Sequence, residues 1–227
     1  MEAKELDVEQ AVKERYSAAS KERELSLCCP VTYEKQYIEV LPQELIDRDY
    51  GCGDPSKYVE EGETVLDLGS GGGKICYIAA QIVGAKGRVL GVDMNDDMLE
   101  LARKYQGEVS ERIGWDNVEF FKGKIQDLAL DHDRFAQHLT ANPVTDTESW
   151  MEAQQVADKM RADEPMSASD SVDVVLSNCV LNLVDPVARK QLFEEIHRVL
   201  KRGGRAVISD IVCDEIVPEQ LKNDPEL

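Results

Sequence analysis

VLDLGSGGGK, residues 65–74, runs from an apolar strand through a glycine-rich turn into the start of a helix. Val65, Leu66 and Leu68 supply the strand. Gly69, Gly71, Gly72 and Gly73 allow dihedrals and close backbone approaches that a Cβ forbids. In that context the loop reads as a ligand cradle at the mouth of a parallel sheet. It departs from the dinucleotide fingerprint G-x-G-x-x-G, because Lys74 stands where the last glycine belongs. Asp67, two residues before the first glycine, suits an ammonium group held directly or through water, whereas it would repel a pyrophosphate.

Working outward, RVLGVD (88–93), VEFFKG (118–123), SVDVVLSN (171–178) and RAVISDIV (205–212) read as further strands. Helical stretches separate them at 73–83, at 96–113 with Asn95 or Asp96 as N-cap, and at 187–200, where Gly203 of KRGG is expected as a left-handed C-cap. Strands and helices alternating at this spacing predict right-handed βαβ units. The fold class is α/β, a doubly wound, mostly parallel, Rossmann-like sheet. Ligands then lie beyond the C-terminal ends of its strands. Asp93 ends the second strand, followed by Met94, where a carboxylate accepts hydrogen bonds from ribose hydroxyls. An acid for a ribose, an acid for an amine and glycines between them fit S-adenosylmethionine. Asp67, Gly69, Gly71, Gly73, Asp93 and Met94 are its expected contacts.

The 227 residues suffice for one well-buried domain. A net charge of −19 argues against nucleic acid and against anionic membrane surfaces. No apolar run approaches the roughly 18 residues of a membrane span. The opening MEAKELDVEQAVKERY is too charged for a signal-peptide core, so a cytoplasmic protein with reduced cysteines is expected. Residues 1–60 read as an N-terminal helical cap segment, with a helix over 5–27, and 61–227 as the ligand-binding core. A polar, acidic insertion interrupts that core at about 130–169. Its DTESWMEAQQVADKMRAD (146–163) predicts a helix with Trp150, Val156 and Met160 on one side.

LDLGSGGGK and GVDMNDDMLELAR resemble the class I methyltransferases that use S-adenosylmethionine. DYGCG (49–53), SNCVLNLV (177–184) and RGGRAVISDIV (202–212) narrow the resemblance to the arsenite methyltransferase family, over residues from about 16 to the end. The resemblance implies methyl transfer to trivalent arsenic held by Cys29 (or its neighbour Cys28), Cys52 and Cys179. Soft thiolates suit As(III), whose lone pair can attack the methyl group in line. It also places Tyr16, Ile125 and Gln126 against the cofactor, while Asn178 is expected to orient backbone at its strand end, to touch the cofactor and to shape the methyl-transfer site. The partners implied are a small molecule, arsenite or its thiol conjugate, and a thiol reductant.

Blander readings stay open beside these. Any single cysteine can be a small buried hydrophobe. Cys76 is expected to pack, although a helix N-terminus could lower its pKa. Cys213 is read as a strand residue, Asn182 as a helix N-cap, and the three histidines as without a catalytic role. Two rival functions remain: methylation of a small organic molecule, and a non-catalytic thiol module for a soft metal. The chain stops soon after its fifth strand, where the family adds an antiparallel hairpin and more. A chain lacking its C-terminal region is therefore expected.

Overall fold

The computed structural model describes residues 8–21, 24, 31–215 and 218. The two halves of VLDLGSGGGK become β1 (Thr64–Leu68) and α4 (Lys74–Val83), with Gly73 as the N-cap at φ 85°. A Cβ on Gly73 would meet the Phe120 ring at 2.7 Å, so only glycine allows the helix to start this close to the sheet. The remaining strands are β2 (Arg88–Asp93), β3 (Val118–Lys122), β4 (Val172–Asn178) and β5 (Leu200–Ser209). They form one sheet in the order β3-β2-β1-β4-β5, every pair parallel. The strand order reverses between β1 and β4, and that switch point opens a crevice at their C-terminal ends.

Side chains alternate across the sheet, so each face buries its own core. Val65, Val89, Val174 and Leu176 pack beneath α4, α5 (Asp96–Lys104) and α6 (Gln106–Ile113). Leu66, Leu68, Leu90, Val92 and Val175 pack on the other face with Leu192, Ile196 and Val199 of α9 (Arg189–Val199). Before the sheet come α1 (Val8–Lys21), α2 (Lys35–Ile38) and α3 (Gln43–Asp47). Between β3 and β4 lie α7 (His132–Ala141) and α8 (Thr147–Asp163). Among the described residues no helix is long and apolar enough to cross a membrane.

Several local expectations are corrected. The single helix over 96–113 is two, broken at Tyr105, which is the C-cap of α5, just before the weak helix former Gly107. Helix α8 buries Ala153 and Ala157, whose small side chains permit close approach, while Trp150 stays 55% exposed. Gly203 caps no helix. It takes φ 88° inside β5, where the β4–β5 register slips between Val172 and Val174 and the extra residues form a bulge. Asn182 caps none either, since its amide donates to Asp210 Oδ1 at 2.9 Å and to the Ile211 carbonyl at 2.6 Å. Cys213 is exposed, beyond the end of β5.

Candidate functional site

The C-terminal ends of β1, β2 and β4 converge on a cavity of about 410 Å³, roofed in part by α1. Asp67, Gly69, Gly71, Asp93, Met94, Ile125, Gln126, Asn178, Cys179 and Tyr16 all line it. Gly73 does not; it sits behind the loop as the cap of α4.

Asp93 shapes the glycine loop. Its Oδ2 accepts from the Gly71 amide and its Oδ1 from the Asn95 amide, both at 2.8 Å. Burial pushes its carboxyl up, opposed by the backbone N–H groups of Asn95, Gly71 and Met94. Each oxygen keeps a lone pair for a further donor. Gly69, at φ 69°, would carry any Cβ to 2.6 Å from Val180, so the cradle needs glycine there. Asp67 is 2% exposed, and its carboxyl is pushed up to about 7, chiefly by burial. Ser70 Oγ is buried and has no hydrogen-bond partner among the described residues, although Ser70 lines the cavity. A buried hydroxyl without a partner is costly, so a polar ligand is the natural complement.

Helix α1 is fastened over this cavity by polar contacts. Asn95 Nδ2 donates to the Lys13 carbonyl and to Ser17 Oγ, both at 3.0 Å, while Asn95 Oδ1 caps α5. The Tyr50 hydroxyl donates to the Ala19 carbonyl at 2.8 Å, and its ring meets Tyr16 edge-on at 6.2 Å. Lys74, the misfit in the glycine fingerprint, forms a buried ion pair with Asp49 and lies 3.8 Å over the Tyr33 ring. The following loop carries Cys52. Asn178 Oδ1 accepts from the Cys52 and Gly53 amides at 3.0 and 3.1 Å, and its Nδ2 donates to the Gly53 carbonyl at 2.9 Å. Cβ atoms on Gly51 and Gly53 would collide with Asn178 and Ser209, which explains the glycines of YGCG. Asn178, expected against the cofactor, thus lines the cavity while its amide clamps the thiol loop.

Cys179 follows the end of β4 with φ 59°, a left-handed conformation uncommon outside glycine, and its amide donates to the Ser209 carbonyl at 2.7 Å. Across 127 residues of chain, Cys52 and Cys179 meet with their Cα atoms 5.9 Å apart and are joined as a disulfide. The fold brings both sulfurs to one point, although nothing in the local sequence links them. Cys28 and Cys29 lie outside the described residues. Among the described residues no three His, Cys, Asp or Glu side chains gather to hold a metal ion. Cys76 is buried, and burial with the adjacent Asp67 raises its thiol pKa, overriding any lowering by the helix N-terminus.

Asp49, Tyr50, Ser70, Asn95 and Lys124 also line the cavity, and sequence reasoning assigned them no role there. Lys74 was the one signal, a lysine out of pattern in a glycine loop. Its partner lies 25 residues earlier and nothing local marks it.

A family model for a methyltransferase domain matches residues 59–227. The arsenite methyltransferase of Aquipseudomonas alcaligenes is 33% identical over 92% of this chain and 51% of its own length. That of Mus musculus is 32% identical over 85% of this chain and 42% of its own. The chain therefore spans about half the length of these curated relatives. The crystal structure of an arsenic (III) S-adenosylmethionine methyltransferase from Chlamydomonas reinhardtii superposes with a TM-score of 0.64 at 28% identity, covering 87% of this chain and 55% of that one. Its sheet, its glycine loop between two carboxylates and these matches have one explanation: the chain belongs to the S-adenosylmethionine-dependent methyltransferase-domain family.

Proposed function

We propose that the chain methylates trivalent arsenic held by its own thiolates, with S-adenosylmethionine in the cavity between β1 and β4. The observation that carries this reading is the meeting of Cys52 and Cys179 at the rim of a cavity lined by Asp67 and Asp93. Relatives named arsenite methyltransferase support it. A methyltransferase of organic molecules has no need to bring two thiols there.

The residues present fit the cofactor. Asp93 has acceptor capacity for two ribose hydroxyls, Asp67 offers a carboxylate to an ammonium group, and Ser70 Oγ offers an unused hydrogen bond. Ile125 and Gln126, which follow β3 and line the cavity, would clasp an adenine, and Tyr16 of α1 would cover it. When bound, S-adenosylmethionine supplies a methyl group that bonds to the arsenic lone pair as the carbon–sulfur bond breaks and its electrons return to sulfur. Cys179, held in its left-handed turn, and Cys52, held by the Asn178 clamp, would fix the arsenic against that methyl group. Cys29 or Cys28 is the proposed third ligand. A disulfide offers no thiolate, so a thiol reductant is a partner of the reaction. That chemistry and the −19 charge suit the cytoplasm.

Incubating the reduced protein with labelled S-adenosylmethionine and arsenite tests the reading. Methylated arsenic should form, and Cys179→Ser should abolish it while S-adenosylhomocysteine still binds. Undiminished methylation by Cys179→Ser would refute the ligand role.

A further inference from the structure

Cys76 is the thiol that the proposed reaction does not use. It lies in the first turn of α4, fully buried, with its Sγ 3.3 Å from Asp67 Oδ2. The sulfur occupies a slot made for it. Gly91 stands opposite Asp67 in the β1–β2 ladder, and a Cβ there would come within 2.9 Å of Sγ. Asp67 Oδ1 has no partner among the described residues, and Asp67 lines the cavity.

We infer that Cys76 is a positioning residue, whose S–H fixes the Asp67 carboxylate by one oxygen so that the other meets the ammonium group of the bound cofactor. The inference rests on the cofactor site proposed above. The geometry gives the thiol only this use. It is buried and does not line the cavity, whereas Asp67 does, and burial beside that carboxylate keeps its proton on sulfur. A thiol is a weak donor, so it orients the carboxylate and leaves most of its charge for the ligand. The charged and titratable groups around Asp67 are Asp49 and Asp93, which push its carboxyl up, Tyr33, and Lys74, which pairs with Asp49. The Cys76 hydrogen bond acts in the opposite direction and favours the ionised form.

The test compares two ligands by calorimetry across pH. S-adenosylhomocysteine carries the ammonium group, and 5′-methylthioadenosine lacks the whole amino-acid portion. In the native protein, S-adenosylhomocysteine should bind more tightly as pH rises through about 7, where Asp67 ionises. Cys76→Ala should weaken S-adenosylhomocysteine about fivefold near neutral pH, the worth of one modest hydrogen bond, and move the midpoint to higher pH. Cys76→Ser, which keeps a donor, should restore the affinity with a midpoint at or below the native one. The affinity for 5′-methylthioadenosine should be the same in all three proteins. Equal weakening of both ligands, no change in either, or a serine variant that behaves like alanine overturns the inference. Should the alanine variant fail to fold, the serine midpoint decides alone, and a shift to higher pH or an effect on 5′-methylthioadenosine overturns it. Failure of the native protein to bind either ligand would instead remove the cofactor site itself.

Discussion

Asp67→Asn should stabilise the ligand-free protein while impairing its site, and the pH dependence of the gain can be worked out. The carboxyl ionises near about 4 in an unfolded chain and at about 7 in the fold, mainly because burial disfavours its charge. Its folded value is raised, so between those pH values the native state holds a proton that the unfolded state has lost. Stability therefore falls as pH rises through that window, by about 1.4 kcal/mol per pH unit, and is level above it. Between about pH 5 and pH 8 the loss is about 2–3 kcal/mol, since only the span up to about 7 contributes. Asparagine keeps the shape and an acceptor for Cys76 but carries no charge. The advantage of Asp67→Asn over the native protein should therefore grow by that amount across the same span. Urea unfolding at the two pH values measures it, and taking the difference between variant and native protein cancels every other titration. Parallel stability curves would show that the buried carboxyl is not raised. The same variant should lose S-adenosylhomocysteine affinity at about pH 8.

Three further outcomes follow from the contacts around the cavity. Lys74→Met strands the buried Asp49 carboxylate and should cost about 3–5 kcal/mol in denaturant unfolding, while the double variant with Asp49→Asn should recover most of it. Asn178→Leu removes three hydrogen bonds to the Cys52 loop, so the Cys52 and Gly53 amides should exchange with solvent much faster. In Asn178→Asp, which keeps both acceptor contacts, they should stay slow. Asp93→Ala frees the Gly71 amide and removes the proposed ribose acceptor, and two hydrogen bonds to the ribose lost at about 1 kcal/mol each should weaken S-adenosylhomocysteine by tenfold or more in calorimetry.

The sheet and the residues that line the cavity at the glycine loop are legible because their signals are local. VLDLGSGGGK, Asp93 at a strand end and the alternating apolar runs each state their structure within ten residues. What remained hidden depends on distant partners. The Lys74–Asp49 pair, the Asn178 clamp and the joining of Cys52 to Cys179 span 25 to 127 residues and leave no periodic trace. The helix break at Tyr105 and the buried Ala153 and Ala157 face of α8 were misread for another reason. Propensity and apolar spacing describe a helix alone, whereas small residues decide how closely its neighbour approaches.

Polar fastenings place the N-terminal cap segment, and this makes the thiol pair separable from the cofactor cradle. The Lys74–Asp49 pair, the three Asn178 hydrogen bonds and the Tyr50 and Asn95 contacts to α1 all hold without the Cys52–Cys179 bond. The disulfide closes a loop of 127 residues, and in the chain-entropy account a crosslink of about that span stabilises by about 4–5 kcal/mol through the unfolded state. Reduction should therefore lower the thermal midpoint markedly yet leave S-adenosylhomocysteine affinity within about twofold, because Asp67, Asp93 and the glycine loop do not depend on the sulfurs. Hydrogen exchange should quicken first around residues 49–53, which carry Cys52, and last in β1 and β2. Loss of cofactor binding on reduction would mean that the disulfide itself places the cap over the cavity. That result would be incompatible with a reaction in which the same two sulfurs open to hold arsenic.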